Sequence, residues 1–289
     1  MKRTAMFVVL LLVFLAWTFP HELVVRRILR SRLGTSGVEA TVAAVRPSFW
    51  PLGYRLDGLA LSRDGFRADI QSVHVGVGLS GNVSFNADAC SGSVRGSLDR
   101  DRGTDGATTR NLEVHFDDVD PSTCLELAGP AVAGKFSGVL ALEGIGHGKQ
   151  TTEFARVGTL TLEGRAGSLS GYLPSGRITK PSGKHREPQP IGRWEFARLN
   201  IDARLADARI VVTHADAEAE GLEWETGAAK VDLARGTPRI EVELRAKRID
   251  DSARSKAILA LLPRAVEKEG WRRYRIVGTP SSLQLVGLK

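Results

Sequence analysis

Apolar and polar residues alternate with a period of two along most of the chain after Val38, in short runs separated by Gly, Asp and Asn. This period predicts strands that have one apolar face and one polar face. The runs are clearest at residues 73–79, 83–89, 112–116, 199–205 and 240–246. Turn signals at 63–65 and 206–208 separate consecutive runs, which favours a meander in which neighbours in sequence pair antiparallel.

The apolar phase of these strands has two possible uses. It either packs within the fold, against other strand faces or a helix, or it stays open and lines a groove. The groove or core-face candidates that we select in this phase are Val75, Phe85, Val114, Ile201 and Val242.

A short helix is predicted to begin at Pro121. Asp120 suits the N-cap, Pro121 suits the first helical position, and Gly129 followed by Pro130 suits the end. Cys124 would then lie on the body of this helix.

A second helix is predicted over residues 251–269, kinked or divided by Pro263. It carries an apolar stripe of Ile258, Leu261, Leu262 and Val266. Such a stripe is typical of a helix that packs on a core. The alternative is docking to a partner or a membrane surface, with Ile258, Leu261 and Leu262 as the interaction-helix candidates.

The amino-terminal segment predicts a membrane anchor. Residues 4–20 are 17 uncharged, mostly apolar positions. As a helix they would span about 25 Å, near the lower limit for a hydrocarbon core of about 30 Å. The start is basic, as in a secretory signal, but the exit at residues 17–20 lacks a small-residue cleavage site. We therefore predict an uncleaved anchor with its basic flank at 1–32, and a β-rich domain at 33–289 with a Pro-rich loop at 173–192.

The net charge of +7 is concentrated in that flank, because residues 1–32 carry +5 of it. Lys and Arg beside an apolar segment meet anionic headgroups, so the excess favours a membrane over a nucleic-acid partner. Four arginines follow the apolar run and two basic side chains precede it. By the positive-inside rule alone, this distribution would place the large domain in the cytoplasm.

The two cysteines, Cys90 and Cys124, have no CxxC partner and no neighbouring histidine, so they do not suggest a metal set. Two states stay open. The cysteines are either buried thiols or a disulfide, and a disulfide persists only in an oxidising compartment.

Motifs for catalysis are missing from the sequence. The segment EGIGHGKQTT at 143–152 resembles a phosphate loop, but Glu143 replaces the first glycine and Gln150 replaces the required Ser or Thr. We predict a Gly-rich hairpin there. The histidines are scattered without an HExxH motif, and no GxSxG elbow is present. The sequence therefore predicts a protein that is not an enzyme and that has no metal site and no cofactor.

Three segments together resemble type II secretion system protein N, in the form found in delta-proteobacteria and spirochaetes. They are TFPHELVVRRIL at 18–29, VRPSFWPLGYRLDGLALSRDG at 45–65 and YRIVGTPSSLQLVGLK at 274–289. The first resembles the exit of the family's anchor, and the other two resemble its first and last hairpins. The resemblance spans the whole chain and depends on the order of short motifs.

The resemblance implies a single-pass inner-membrane protein with its bulk in the periplasm. It implies a mainly β fold in which one transmembrane helix precedes a long curved antiparallel sheet, an AsmA-like meander or half-barrel with two short helices. Export would favour a Cys90–Cys124 disulfide that staples the helix at Pro121 to the strand carrying Cys90. A long polar domain crosses the membrane largely regardless of flanking charge, which would override the arginine count.

Two functions follow from this resemblance. The first is a non-enzymatic accessory component of a type II secretion system, which contacts the inner-membrane platform or the outer-membrane channel through strand edges or the helix around Ile258. The second is an AsmA-like periplasmic module that binds or transfers lipid along its apolar strand face.

Overall fold

A computed structural model describes residues 21–34, 37–49, 52–63, 66–78, 81–102, 107–127, 131–147, 153–170, 194–206, 208–232, 239–279 and 282–288. The predicted anchor at 4–20 and the Pro-rich loop at 173–192 lie outside these residues. Within the described ranges, no helix is both long and apolar enough to cross a membrane.

Strands dominate the described chain, and three helical segments accompany them. The helices are α1 (His21–Gly34), α2 (Ala253–Leu261) and a single 3-10 turn (Pro121–Thr123). The strands are β1 (Glu39–Phe49), β2 (Leu52–Arg63), β3 (Phe66–Val77), β4 (Val83–Ala89), β5 (Gly92–Arg102), β6 (Ala107–Val119), β7 (Leu125–Leu127), β8 (Ala131–His147), β9 (Glu153–Ser170), β10 (Trp194–Ala206), β11 (Arg209–Ala219), β12 (Leu222–Asp232), β13 (Arg239–Arg248), β14 (Glu267–Lys268), β15 (Trp271–Thr279) and β16 (Ser282–Gly287).

These strands form one 16-stranded antiparallel sheet in nearly sequential order, which confirms the predicted meander. β9 and β10 pair from Trp194–Leu169 to Ala206–Val157, so the two halves on either side of the Pro-rich loop belong to the same sheet. β7 leaves the sequential path and pairs with β3, and β14 and β16 both pair with β15. Residues 148–152 of the predicted Gly-rich hairpin lie outside the described residues, and β8 and β9 on either side of them pair along most of their length.

Burial is concentrated at one end of the strands. We call this the closed end: it holds the turns at 90–91 and 220–221, the segment 120–127 and the connection 249–270. Leu222 and Tyr274, which lie toward it, are fully buried. At the opposite, open end, Val77 keeps 48% of its surface exposed. The apolar face is therefore sealed along one margin and accessible along the other.

The predicted helix at Pro121 is only a single 3-10 turn. Asp120 caps it as expected, because its carboxylate accepts a hydrogen bond from the Ser122 amide at 3.0 Å. The helix ends at Thr123 because the next residues pair with β3, where Leu125 lies opposite Ala68. Cys124 therefore follows the turn instead of lying on a helix, which corrects the prediction.

A disulfide joins Cys90 to Cys124, with 4.7 Å between their Cα atoms. Both residues are buried. The Cys90 carbonyl accepts a hydrogen bond from the Asp120 amide at 2.8 Å, and the Cys124 carbonyl accepts one from the Asp69 amide at 2.9 Å. The bridge therefore ties the β4–β5 turn to β7 and the edge of β3.

The β4–β5 turn needs this support. Cys90 and Ser91 both have left-handed backbones, with φ of 55° and 60°. Two-residue hairpins of this kind usually use Asn or Gly, because other residues pay about 1–2 kcal/mol each in this region. The disulfide and the Asp120 hydrogen bond hold the turn in place against that cost.

We expect loss of the disulfide to lower the free energy of unfolding by about 3–4 kcal/mol, because a cross-link over a sequence separation of 34 reduces the entropy of the unfolded chain. Denaturant unfolding of the oxidised protein, the reduced protein and the C90S/C124S variant measures this. The serine variant should not respond to reductant. Equal midpoints for all three proteins would contradict the prediction.

The second helix is shorter than predicted. It spans Ala253–Leu261 instead of 251–269, and the Ser252 hydroxyl caps it by accepting from the Ser255 amide at 3.1 Å. Leu262 has an extended backbone, because a residue that precedes proline is disfavoured in the helical region. The exposed Val266 is therefore not part of a helical stripe.

Glu220 joins this helix to the β11–β12 turn. Its side chain is only 5% exposed, and Oε1 accepts hydrogen bonds from Arg254 Nη2 and from the Glu195 amide, both at 2.8 Å. The Arg254 hydrogen bond is the main cause that lowers the pKa of Glu220 below its usual value. Glu220 thereby links β10, the turn and α2.

A lowered carboxyl pKa stabilises the fold above the ordinary glutamate value of about 4.3, and this stabilisation is lost as the pH falls through the folded-state pKa. We therefore expect E220Q to unfold more easily than the parent protein near neutral pH and to lose less stability on acidification. Thermal unfolding across this range measures both effects. The exposed neighbour supplies the control E218Q, which should follow the parent profile; identical profiles for E220Q and E218Q would refute the link.

Candidate functional site

One register row of apolar residues crosses the whole sheet, and we call it the lane. Residues directly opposite in paired strands point to the same face, so the pairings trace it strand by strand. Its members are Pro47, Tyr54, Val75, Phe85, Gly96, Val114, Leu140, Leu160, Ala203, Val212, Ala229, Val242, Ile276 and Leu285. With strands about 4.8 Å apart, the lane is roughly 60 Å long along the sheet surface.

The structure brings the predicted groove residues together. Val75, Phe85, Val114 and Val242 all lie in the lane. Ile201 lies on the same face but one row nearer the closed end, opposite Leu162. All five side chains are half-buried, unlike the fully buried residues at the closed end. The lane therefore combines an apolar surface with access to solvent.

A second apolar row flanks the lane on its open-end side. It runs through Val77, Val83, Leu98, Leu112, Leu142, Gly158, Leu205, Ile210, Val231, Ile240, Gly278 and Leu283. Two adjacent rows without a charged side chain make a continuous surface for hydrocarbon instead of isolated apolar spots.

Helix α1 covers the β1 end of this face. Val25 and Leu29 pack against a buried cluster that includes Val42 and Leu56. At the start of the helix, His21 Nδ1 lies 3.1 Å from the hydroxyl of Tyr54, which is a lane residue. The chain therefore enters the described structure beside the lane, directly after the predicted anchor.

The opposite face of the sheet is polar. His74, Asn86, Arg95 and His115 lie side by side on it and line a cavity of about 460 Å³. His74 and His115 thus occupy the polar phase of their strands. His115 lies 2.7 Å from the Glu113 carboxylate. Nothing in the described ranges gathers three or more His, Cys, Asp or Glu side chains into a possible metal site.

Charged side chains on this polar face form ion pairs with one another. Arg55 donates to the Asp57 carboxylate at 2.9 Å, and this hydrogen bond raises the pKa of the guanidinium. Arg273 lies 3.7 Å from Glu243 on the neighbouring strand. The two faces therefore differ sharply, with charged pairs on one and hydrocarbon on the other.

The three interaction-helix candidates differ in position and in what the structure describes of them. Ile258 is 8% exposed, so it contributes to packing in this structure. Leu262 is half-buried and follows the end of α2. The side chain of Leu261 lies outside the described residues. Of these three candidates, the one on α2 whose side chain is described, Ile258, is buried.

Sequence reasoning missed a set of Phe–Gly pairs on the apolar face. Each ring lies directly opposite a glycine: Phe85 with Gly96, Phe116 with Gly138, Phe136 with Gly164, and Phe196 with Gly167. The pairs step towards the closed end from one strand pair to the next. A signal was present, because Gly96 and Gly138 interrupt the apolar phase of their strands, but the register that pairs them with rings is not local.

Comparisons with known proteins give no relative. No model of a protein family, no curated protein and no solved structure matches the chain. The resemblance to type II secretion system protein N therefore stays a prediction that depends on the three segments described above.

Proposed function

We propose that the lane binds the hydrocarbon chains of lipids and that the protein is a non-enzymatic lipid-binding module. The observation that carries this proposal is the lane itself, an uninterrupted apolar row in which Val75, Phe85, Val114 and Val242 stay half-buried and accessible to solvent. A lipid chain laid along it removes apolar surface from water on both partners, which is worth about 0.8 kcal/mol for each buried methylene.

The start of the chain supports a lipid as the occupant. The apolar run at 4–20 leads into His21 beside the lane, and its predicted role is to hold the protein at a membrane. On α1, Arg27 and Arg30 are exposed, and Leu23 is 69% exposed. Basic and apolar side chains in this combination suit the headgroup region of a bilayer. The lane would then start next to its source of lipid.

The compartment that we propose is the periplasmic side of an inner membrane. The Cys90–Cys124 bridge supports an oxidising environment, because disulfides are rare in reducing compartments. The bulk of the protein would be on that side, with the anchor crossing once.

We expect Phe85→Glu to lower the amount of co-purifying lipid about tenfold or more, because a carboxylate in the lane must stay hydrated and excludes a hydrocarbon chain. The full-length protein is purified from its own membranes in mild detergent, and lipid per protein is measured by mass spectrometry. Circular dichroism and thermal unfolding report whether the sheet is intact.

The adjacent residue supplies a matched control. Asn86 is exposed on the polar face of the same strand, so Asn86→Glu adds the same charge one residue away and should retain lipid. Lipid loss in both variants, or in neither, would refute the lane as the binding surface. A parent protein that co-purifies without lipid would refute the proposal as well.

A second candidate function is an accessory role in a type II secretion system, and the ends of the sheet favour it. β1 and β16 each pair with a single strand among those described. An edge of this kind offers backbone hydrogen-bonding groups to an added strand. A platform or channel subunit would be the partner.

Affinity purification of the full-length protein tests this second role. We expect platform or channel subunits at a stoichiometric yield, and proline substitution of Leu285 in β16 should reduce that yield, because proline removes a backbone donor. Lipid without such subunits would leave lipid binding as the function and would refute the accessory role.

A further inference from the structure

Phe85 is held flat against the sheet by the glycine opposite it. A Cβ atom added to Gly96 would collide with the Cζ and Cε1 atoms of the Phe85 ring. The ring therefore fills the space above Gly96 instead of standing away from the sheet, as strand side chains usually do. Covering a strand glycine with a neighbouring aromatic ring also protects that weak point of the sheet.

Side-chain size makes the lane a trough. Most of its floor between β5 and β13 is small, with Leu140 and Leu160 as the exceptions: Gly96, Val114, Ala203, Val212, Ala229 and Val242. The flanking row on the open-end side is larger on the strands with a small floor residue: Leu98, Leu112, Leu205, Ile210, Val231 and Ile240. The pattern is interrupted at β8 and β9, where Leu142 equals Leu140 in size and Gly158 is smaller than Leu160. On the closed-end side, the floor is bounded by Val94, Phe116, Ile201 and Leu244, one row away on β5, β6, β10 and β13. Rows on one face are about 7 Å apart, so on these strands the trough is one row wide.

Phe85 is the largest side chain on the floor between β3 and β13. If its ring stood upright it would block the trough at β4, between Val75 and Val114. Because the Phe85 ring lies over Gly96 instead, it does not rise above the floor of the trough. The Phe85–Gly96 pair therefore decides whether a chain can pass this point.

We infer that the Phe85–Gly96 pair sets the clearance of the trough and makes it selective for single unbranched hydrocarbon chains over ring-bearing lipids such as sterols. This inference depends on the proposed lipid binding and adds the class of lipid to it. A straight chain fits a trough one row wide, whereas a fused ring system needs the space that the Phe85 ring occupies.

Five full-length proteins test the inference: the parent, G96A, F85A, F85A/G96A and, as the negative control, Phe85→Glu. Each is purified in mild detergent and exposed to photoactivatable palmitate or photoactivatable cholesterol, and covalent capture is measured. The methyl group added in G96A would also lie 2.7 Å from the Glu113 carbonyl oxygen. Comparing G96A with F85A/G96A in a double-mutant cycle separates this backbone contact from the effect on the Phe85 ring. Thermal unfolding confirms that each variant is folded.

We expect G96A to lower palmitate capture about fivefold when Phe85 is present and less than about twofold in the F85A background. F85A should raise cholesterol capture relative to palmitate. An equal loss from G96A in both backgrounds would overturn the inference, and so would unchanged selectivity in F85A. If G96A does not fold, the F85A selectivity decides alone. Parent capture no greater than that of Phe85→Glu would instead refute the proposed lipid binding.

Discussion

The structure depends on strand register more than on any single contact. The side-chain period of a strand is two, so a slip of one residue in one pair would turn every later strand over. Here the apolar phase stays on one face from Pro47 to Leu285 across the full width of the sheet. Irregularities such as those at Ile70/Ser72 and Phe116/Val119 fall on the closed-end side of the lane, so they absorb twist there without breaking the row.

The strands could be predicted from the sequence because alternation is a local property. Val75, Phe85 and Val114 were identifiable as residues of one apolar face before any pairing was known. Their alignment in a single row was not, because it depends on which residues meet across each turn, and turn length does not specify register over so many strands. Ile201 shows the limit: it belongs to the right face but lies in the neighbouring row.

The start of the turn at Pro121 was predictable and its end was not, because the start depends on neighbouring residues and the end on a distant pairing. Asp120 caps its turn through a hydrogen bond to an amide two residues away, so the signal is contained in the local sequence. The end of that turn is decided by β7 pairing with β3, which is distant in sequence. The Cys90–Cys124 bridge belongs to the same category, because its two ends meet only after β7 has turned back to β3.

An apolar sheet face that stays half-exposed is unusual, because such faces normally gain stability by packing against a second layer. Two features of the sheet accompany this exposed apolar face and leave it accessible to solvent. Charged pairs such as Arg273 with Glu243 keep the other face strongly hydrated, and the Phe–Gly pairs bury ring surface against the sheet while leaving its floor low. Filling the trough with larger side chains would stabilise the protein by burying more hydrocarbon within itself. A trough that stays unfilled therefore argues that the missing layer is supplied by a ligand with the same chemistry. The half-buried side chains of Val75, Phe85, Val114 and Val242 are positioned to contact such a ligand.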